Sequence, residues 1–222
     1  MTEKNLVSGL TTTKAPFIEE AQSNGELFIR QPYELYSEEN QQVWTKLYNN
    51  IMPLWEKHAN SKFLEGINLL SLSPERIPKL EDINRFLEPL TGFQAKPVSG
   101  YVPAYLFFEC LKNRQFPTTI TIRDGQKLDY LPEPDIFHDI AGHVPMHTDP
   151  VFADVLVKCG ALASSVAKRQ EGVADKAERV AKVKSNLKAL ARFFWFTIEF
   201  GLMKEEGRLC VYGSGIMSSA GE

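Results

Sequence analysis

Three of the four histidines in this chain, His138, His143 and His147, fall within ten residues of one another. His138 and His143 are five residues apart, and an unbroken α-helix would turn their side chains about 140° away from each other. Gly142 is a typical helix terminator and Pro145 cannot continue a helix, so we expect His143 to swing back from a loop toward His138. Both imidazoles could then reach one metal ion. His147 lies beyond Pro145, and we expect it to stand behind the ligands or to face solvent.

A carboxylate in an apolar stripe is the second feature that points to a metal. In the predicted last helix, Glu199 follows Ala191 and Trp195 in a row of residues four apart. Its neighbours three and four residues away are all apolar: Trp195, Phe196, Leu202 and Met203. An unpaired buried carboxylate is costly, so we expect Glu199 to meet a bound cation or a distant arginine.

Two histidines and one carboxylate match the facial triad that holds non-haem Fe(II) and leaves positions open for oxygen and substrate. Zinc hydrolases use the same ligand types, so the donor set alone does not separate iron from zinc. The H-E-x-x-H motif of zinc proteases is absent, because Asp139 follows His138 and the second histidine comes one place too late.

The helices that must position these residues are marked by caps and apolar periodicity. We predict a helix that starts at Ser37, carries Glu38 and Glu39 in its first turn, and is kinked or ended by Pro53. Three other helices are predicted to start at Ser61, at Ser73 with Pro74 as first residue, and at Asp149 with Pro150. Apolar residues at helical spacing also predict helices over residues 83–90, at the end of 97–111, and over 187–202.

One strand is predicted at residues 118–123, where β-branched residues alternate with others. Asp124 and Gly125 form a hairpin-type turn, after which residues 127–130 could return antiparallel. The chain is therefore predicted to be mainly α with a minor antiparallel β element.

The composition is 43% hydrophobic and 24% charged with a formal net charge of −3, which is typical of a globular protein. Disorder, a collagen-like repeat and a disulfide scaffold are excluded, and we expect neither a membrane span nor nucleic-acid binding. Three cysteines without a C-x-x-C pair (Cys110, Cys159 and Cys210) are expected to be buried, reduced thiols. No secretory signal is visible at the N-terminus, so we expect a cytoplasmic protein, and no segment indicates an oligomer.

Six stretches in register resemble the pterin-dependent aromatic amino acid hydroxylases, and most of all the bacterial phenylalanine 4-hydroxylase branch. They are PVSGYVPAYLFFECL, TITIRDG, PEPDIFHDIAGHVP, DPVFADVL, FFWFTIEFGL and YGSGIMSSAGE. The similarity covers roughly residues 35–222 and implies the catalytic-domain fold of that family. It implies a monooxygenase that uses Fe(II), a tetrahydropterin co-substrate and O2 to hydroxylate the ring of an aromatic amino acid, with phenylalanine as the favoured substrate.

The resemblance also implies roles for single residues. The iron ligands would be His138, His143 and Glu199. Arg123 would grip the substrate carboxylate, which suits a guanidinium fork, although pairing with Asp124 or Asp129 is the alternative on the residues alone. The remaining substrate contacts would be Pro134, Trp195, Phe200, Gly215 and Ser218. The pterin would be bound by Gly100, Tyr101, Val102, Ala104, Phe107 and Asp139.

Three departures from the family pattern are visible. Ala104 stands where many animal members have a serine, and Pro117 where they have a histidine. Phe194 replaces a common tyrosine near the iron. Members of the family continue beyond the SSAGE-like segment, so we expect the fold to lack its C-terminal part. We divide the chain into a polar N-terminal arm, residues 1–30, and a catalytic domain, residues 31–222. The alternatives are a hydroxylase of tryptophan or another aromatic substrate, a truncated inactive form, and a zinc hydrolase.

Overall fold

The computed structural model describes residues 16–100, 102–126, 128 and 134–219. Its α-helices are α1 (Pro16–Ser23), α2 (Glu38–His58), α3 (Ser61–Leu69), α4 (Leu80–Thr91), α5 (Ala104–Lys112), α6 (Val144–His147), α7 (Pro150–Arg169), α8 (Lys176–Phe194) and α9 (Ser214–Met217). Its strands are β1 (Gln94–Val98), β2 (Gln115–Thr119), β3 (Leu202–Glu205) and β4 (Arg208–Val211). Two π-helical turns, Phe137–His143 and Trp195–Glu199, complete the elements that matter for the site. The mainly helical class with a small β element is confirmed.

The strands form two separate pairs in the described part of the chain. β1 and β2 run parallel, whereas β3 and β4 form an antiparallel hairpin. Among the described residues the antiparallel pair lies at residues 202–211, and the predicted strand is shifted to residues 115–119. Most of the predicted return strand, at residues 127–130, lies outside the described residues.

Side chains from the histidine segment explain why the strand ends at residue 119. The backbone N–H of Thr119 donates to Asp139, and that of Arg123 donates to Asp135. The carbonyl of Thr121 accepts from the backbone N–H of Ile136. The backbone groups of the chain at and after the end of β2 thus form hydrogen bonds with the segment that leads into His138. These bonds hold that segment against the sheet.

Helix α2 begins as predicted and continues through Pro53. The Ser37 side chain caps the helix by accepting a hydrogen bond from the backbone N–H of Asn40. The Asn40 side chain in turn accepts from the backbone N–H of Ser37. A proline inside a helix costs about 3 kcal/mol. Full burial of Ile51 and Trp55 on either side of it contributes roughly 1.5–3 kcal/mol each, so packing outweighs the proline.

The helix predicted at Ser73 is wrong, because side chains of α2 bind the backbone of this segment. The indole N–H of Trp44 donates to the carbonyl of Ser73 at 2.9 Å, and the Gln41 amide oxygen accepts from the N–H of Ile77 at 2.8 Å. Pro78 also disfavours an α conformation for Ile77. The predicted helices at Ser61, at residues 83–90 and at Asp149–Pro150 correspond to α3, α4 and α7.

Aromatic packing in the core anchors the segment that carries the histidines. The Phe137 ring stacks on Trp55 with centroids 6.4 Å apart and meets the edge of Trp44 at 5.1 Å. The Trp55 indole N–H donates to the carbonyl of Met217 at 2.8 Å. Helix α2 therefore holds both the first π-turn and α9 in place.

Part of the polar arm packs against β1. The Gln22 amide donates to the carbonyl of Ser99 at 2.6 Å, and Phe28 forms a backbone bridge with Val98. The division of the chain at residue 30 stays a prediction. The three cysteines are free and buried. Among the described residues, no helix combines the length and apolar character that a membrane crossing requires.

Candidate metal centre

The first π-turn is the reason that His138 and His143 meet. In a π-helix the hydrogen bonds join residues five apart, so side chains at that spacing lie above one another. The two imidazole centroids are 4.9 Å apart. The helix does not end at Gly142, because the turn runs directly into α6 with Pro145 in the first turn of that helix. The predicted loop reversal is wrong, and a change of helical pitch replaces it.

Gly142 instead allows α9 to approach the turn. A Cβ atom at this position would lie 3.0 Å from the carbonyl oxygen of Ser214 and 3.3 Å from the Cβ of Ser218. Both distances are tighter than ordinary contacts, so any side chain would push α9 away. Close packing against Gly142 thus brings two serine hydroxyls to the cluster.

Glu199 reaches the histidines from the end of the second π-turn. Its Oε1 lies 3.1 Å from Nε2 of His143, and its Oε2 lies 3.6 Å from Nε2 of His138. Burial works against the ionised form of Glu199, but the neighbouring His143 and hydrogen bonds from His143 and Ser214 lower its pKa to about 2. The Glu199 carboxylate, which has no charged neighbour three or four residues away along the helix, is therefore paired with the imidazoles of His138 and His143.

The tautomer of His138 follows from the hydrogen bonds of Ser218. The Ser218 hydroxyl donates to the carbonyl of Ser214 at 2.8 Å. A hydroxyl has one proton, so Ser218 can only accept from Nδ1 of His138, which lies 2.7 Å away. Nδ1 then carries the proton, and Nε2 presents a lone pair toward Glu199. Burial and the adjacent His143 lower the pKa of His138 to about 4, so the ring is neutral at pH 7.

A second carboxylate, Asp139, borders the cluster. One donor atom from each of His138, Asp139 and His143 lies within 4.8 Å of the others. However, Asp139 accepts a 2.6 Å hydrogen bond from the backbone N–H of Thr119, and burial raises its pKa to about 7. Glu199 is ionised and faces both Nε2 atoms, which makes it the better third ligand. Two imidazoles and one ionised carboxylate fit a divalent iron or zinc ion.

Arg123 and Asp135 form a buried ion pair beside this cluster. Nε and Nη2 of Arg123 donate to the two oxygens of Asp135 at 2.7 and 2.9 Å. Asp135 also accepts from the backbone N–H of His138 at 2.9 Å, so the pair fixes the start of the π-turn. Sequence reasoning missed Asp135, although a carboxylate directly before the apolar pair Ile136–Phe137 was a usable signal.

The other predicted substrate residues lie at different depths. Trp195 is 46% exposed, and its ring is 4.9 Å from that of Phe200. A Cβ on Gly215 would lie 2.9 Å from the Phe200 ring, so α9 packs against it. Pro134 is exposed beside Asp135. The rings of Trp195 and Phe200 thus pack together next to Glu199, with Gly215 against the Phe200 ring. The substrate-binding roles of these residues stay predictions.

Two ring contacts connect one of the predicted pterin residues, Phe107, to the cluster. Phe107 is 6.2 Å from the Phe116 ring, which in turn is 4.9 Å from the imidazole of His143. Ala104 begins α5, Val102 is half-buried, and Gly100 has a φ of +129° that suits glycine. Tyr101 lies outside the described residues. Phe116 is the contact that sequence reasoning missed.

His147 does not face solvent. Its side chain is fully buried, and among the described residues neither ring nitrogen has a hydrogen-bond partner. It packs against Phe93 at 5.3 Å, Phe116 at 4.7 Å and Phe152 at 6.2 Å, which explains why burial lowers its pKa well below the ordinary value.

Comparison with known proteins places this arrangement in a family. The phenylalanine-4-hydroxylase of Caulobacter vibrioides is 42% identical over 194 residues, which are 87% of this chain and 61% of that protein. The structure of Chromobacterium violaceum phenylalanine hydroxylase with iron(III) and 7,8-dihydrobiopterin matches with a TM-score of 0.75 at 37% identity and covers 87% of this chain and 65% of that one. A structure of the same enzyme with iron and phenylalanine has a TM-score of 0.75 at 36% identity and covers 87% and 64%.

The chain therefore spans less than two thirds of the length of these relatives. Residues 29–222 match the family described as biopterin-dependent aromatic amino acid hydroxylase. The resemblance drawn from the six sequence stretches is confirmed, and the chain belongs to this family of biopterin-dependent aromatic amino acid hydroxylases.

Proposed function

We propose that this protein is an iron(II)- and tetrahydropterin-dependent monooxygenase that hydroxylates the ring of phenylalanine to give tyrosine. The observation that carries the proposal is the convergence of His138, His143 and Glu199, which two π-helical turns bring to one point. The relatives described above are phenylalanine hydroxylases, and one of them was solved with iron and phenylalanine. This supports phenylalanine over tryptophan or another aromatic substrate.

In this proposal the metal is held by Nε2 of His138, Nε2 of His143 and the carboxylate of Glu199. Bound iron supplies the activation of O2, with the reduced pterin as two-electron donor. The protein residues prepare the site for it. Ser218 fixes the proton of His138 on Nδ1, and the ionised Glu199 balances part of the charge of a divalent ion.

We assign the substrate ring to the side formed by Trp195 and Phe200, with Pro134 at its edge and Gly215 and Ser218 near the polar end. Arg123 would attract the substrate carboxylate, and its pair with Asp135 holds the guanidinium rigid at the start of the π-turn. A preformed cation costs less entropy on binding than a mobile one.

The pterin is assigned to Gly100, Tyr101, Val102, Ala104, Phe107 and Asp139. Phe107 offers an aromatic face, and its contact with Phe116 links that side to His143. A cytoplasmic monomer with a polar arm at residues 1–30 and a catalytic domain at 31–222 belongs to the same proposal. The three free cysteines are compatible with a reducing compartment.

The proposal is tested by supplying the purified protein with Fe(II), a tetrahydropterin and O2, together with phenylalanine, tyrosine or tryptophan in separate reactions. We expect tyrosine from phenylalanine, with pterin consumed in step with product and no turnover when Zn(II) replaces iron. Faster turnover of tryptophan than of phenylalanine would contradict the assignment of phenylalanine as the preferred substrate. Absence of product from all three amino acids in the iron-loaded protein would overturn the proposed activity.

A further inference from the structure

Ser214 makes a direct contact with Glu199 that no pattern in the local sequence predicts. Its hydroxyl donates a 2.8 Å hydrogen bond to Oε2 of Glu199 from the first residue of α9. The Ser214 side chain is 1% exposed, so water does not compete for this bond. A charge-assisted hydrogen bond in such surroundings strongly orients the carboxylate.

The bond makes the two oxygens of Glu199 unequal. Oε1 faces Nε2 of His143 at 3.1 Å, whereas Oε2 accepts from Ser214 and lies 3.6 Å from Nε2 of His138. A metal bound to Nε2 of His143 would take the place of the proton on that nitrogen and so remove its hydrogen bond to Oε1. The Ser214 bond to Oε2 would remain and leave that oxygen with less electron density to give to a metal. We propose that Ser214 is a positioning residue that makes Glu199 a one-oxygen ligand through Oε1. This inference rests on the proposed iron site.

The position of the Ser214 hydroxyl is fixed by the packing of α9. The carbonyl of Ser214 accepts from the Ser218 hydroxyl, one turn later, and Ser218 in turn contacts His138. Trp55 holds the carbonyl of Met217 from the other side. One short helix therefore orients two of the three ligands, Glu199 through Ser214 and His138 through Ser218.

One-oxygen binding by Glu199 would limit the number of coordination positions around the metal that protein atoms fill. A carboxylate that binds through one oxygen leaves a position that two-oxygen binding would occupy. Open positions are what a site of this class needs for oxygen and substrate. Without the hydroxyl, Glu199 can rotate and offer both oxygens, or lose its preorientation and bind more weakly.

The test uses Co(II) as a spectroscopic probe on the whole chain. Ser214→Ala and Ser214→Gly both remove the hydroxyl, and Ser214→Thr keeps one. The control is Ser165→Ala, because the Ser165 hydroxyl donates its proton in an exposed hydrogen bond to the carbonyl of Leu162 within the same helix, α7. The measurements are Co(II) affinity by competition with a chelator, the visible Co(II) spectrum, and the thermal midpoint of the metal-free protein.

We expect Ser214→Ala and Ser214→Gly to bind Co(II) roughly 10–100-fold more weakly, as is typical when a partner of a metal ligand is removed. Their visible Co(II) bands should weaken, because two-oxygen binding by Glu199 raises the coordination number of the ion. Ser214→Thr should bind Co(II) more tightly than the two hydroxyl-free variants, and Ser165→Ala should match the wild type. Unchanged affinity and spectrum in both hydroxyl-free variants would overturn the inference and leave the proposed function standing.

Three other results also count against it. A lower thermal midpoint with an unchanged Co(II) spectrum would assign Ser214 a structural role only, as would failure of both hydroxyl-free variants to fold. Absence of Co(II) binding by the wild type would remove the proposed metal site itself, and the role of Ser214 with it.

Discussion

The indole N–H of Trp55 donates to the backbone carbonyl of Met217 at 2.8 Å, across 162 residues of sequence. Both residues are buried, and the bond ties α2 to α9. Because α9 carries Ser214 and Ser218, this contact links the aromatic core of the domain to the ligands of the candidate metal centre.

Replacing Trp55 with phenylalanine should keep an aromatic ring but leave the Met217 carbonyl without its donor. We expect the free energy of unfolding to fall by roughly 1–3 kcal/mol, the cost of a buried polar group that loses its partner. Urea denaturation of Trp55→Phe measures it. Trp195→Phe is the control, since Trp195 is half-exposed, and a loss of the same size in both variants would contradict the role given to the indole bond.

Breaking the Arg123–Asp135 pair should cost far more stability than breaking an exposed pair of similar length. Asp135→Asn removes the charge of a buried carboxylate that pairs with Arg123, and breaking a buried ion pair from one side typically costs roughly 3–5 kcal/mol of stability. The control is Glu81→Gln, which breaks the exposed 2.9 Å pair with Arg85 and should cost about 0–1 kcal/mol. Similar losses in the two variants would show that burial adds nothing to the Arg123–Asp135 pair.

The same pair predicts a pH dependence of stability. Burial opposes the ionised form of Asp135, but the Arg123 guanidinium and the backbone N–H groups of His138 and Arg123 outweigh it and lower its pKa. A lowered folded-state pKa stabilises the protein above the unfolded value, about 3.9, and this contribution is lost as the pH falls below it. Between pH 6 and pH 3 the wild type should therefore lose more unfolding free energy than Asp135→Asn. Parallel curves would refute the assignment.

Gly142→Ala should loosen the metal site without unfolding the protein. The added Cβ would press on the Ser214 carbonyl at 3.0 Å and shift α9, which weakens the serine contacts to both Glu199 and His138. We expect Co(II) affinity to fall by roughly tenfold, at the lower end of what loss of such partners costs. Gly172→Ala is the matched control, because a Cβ there has no neighbour within 4 Å. Equal affinities in the two variants would mean that α9 does not need this close approach.

The sequence indicates the residues of the proposed metal site better than the geometry that joins them. His138 and His143 stand out by clustering, and Glu199 by lying in an apolar stripe without a partner. The π-turns were missed because a one-residue change of pitch leaves no clear mark in the pattern of side chains; it depends on hydrogen bonds made in the folded chain. Glycine and proline at this spacing predict a loop reversal at Gly142, but the structure uses Gly142 for close packing against α9 instead.

The errors in secondary structure have a common cause. The helix expected at Ser73 and the strand expected at residues 118–123 are both displaced by side chains from distant segments that bind their backbone groups. Propensity describes local preferences and cannot include such partners. Ser214 was missed for a related reason, since serine suits a surface helix as well as a buried contact.

The most direct test of the central claim is Fe(II) binding by the wild type and by Glu199→Gln, measured by anaerobic equilibrium dialysis. Glutamine keeps the size of the side chain and removes its charge. We predict one Fe(II) per chain in the wild type and loss of that binding in Glu199→Gln, with the fold retained by circular dichroism. Undiminished stoichiometric binding in Glu199→Gln would contradict the assignment of His138, His143 and Glu199 as one iron site.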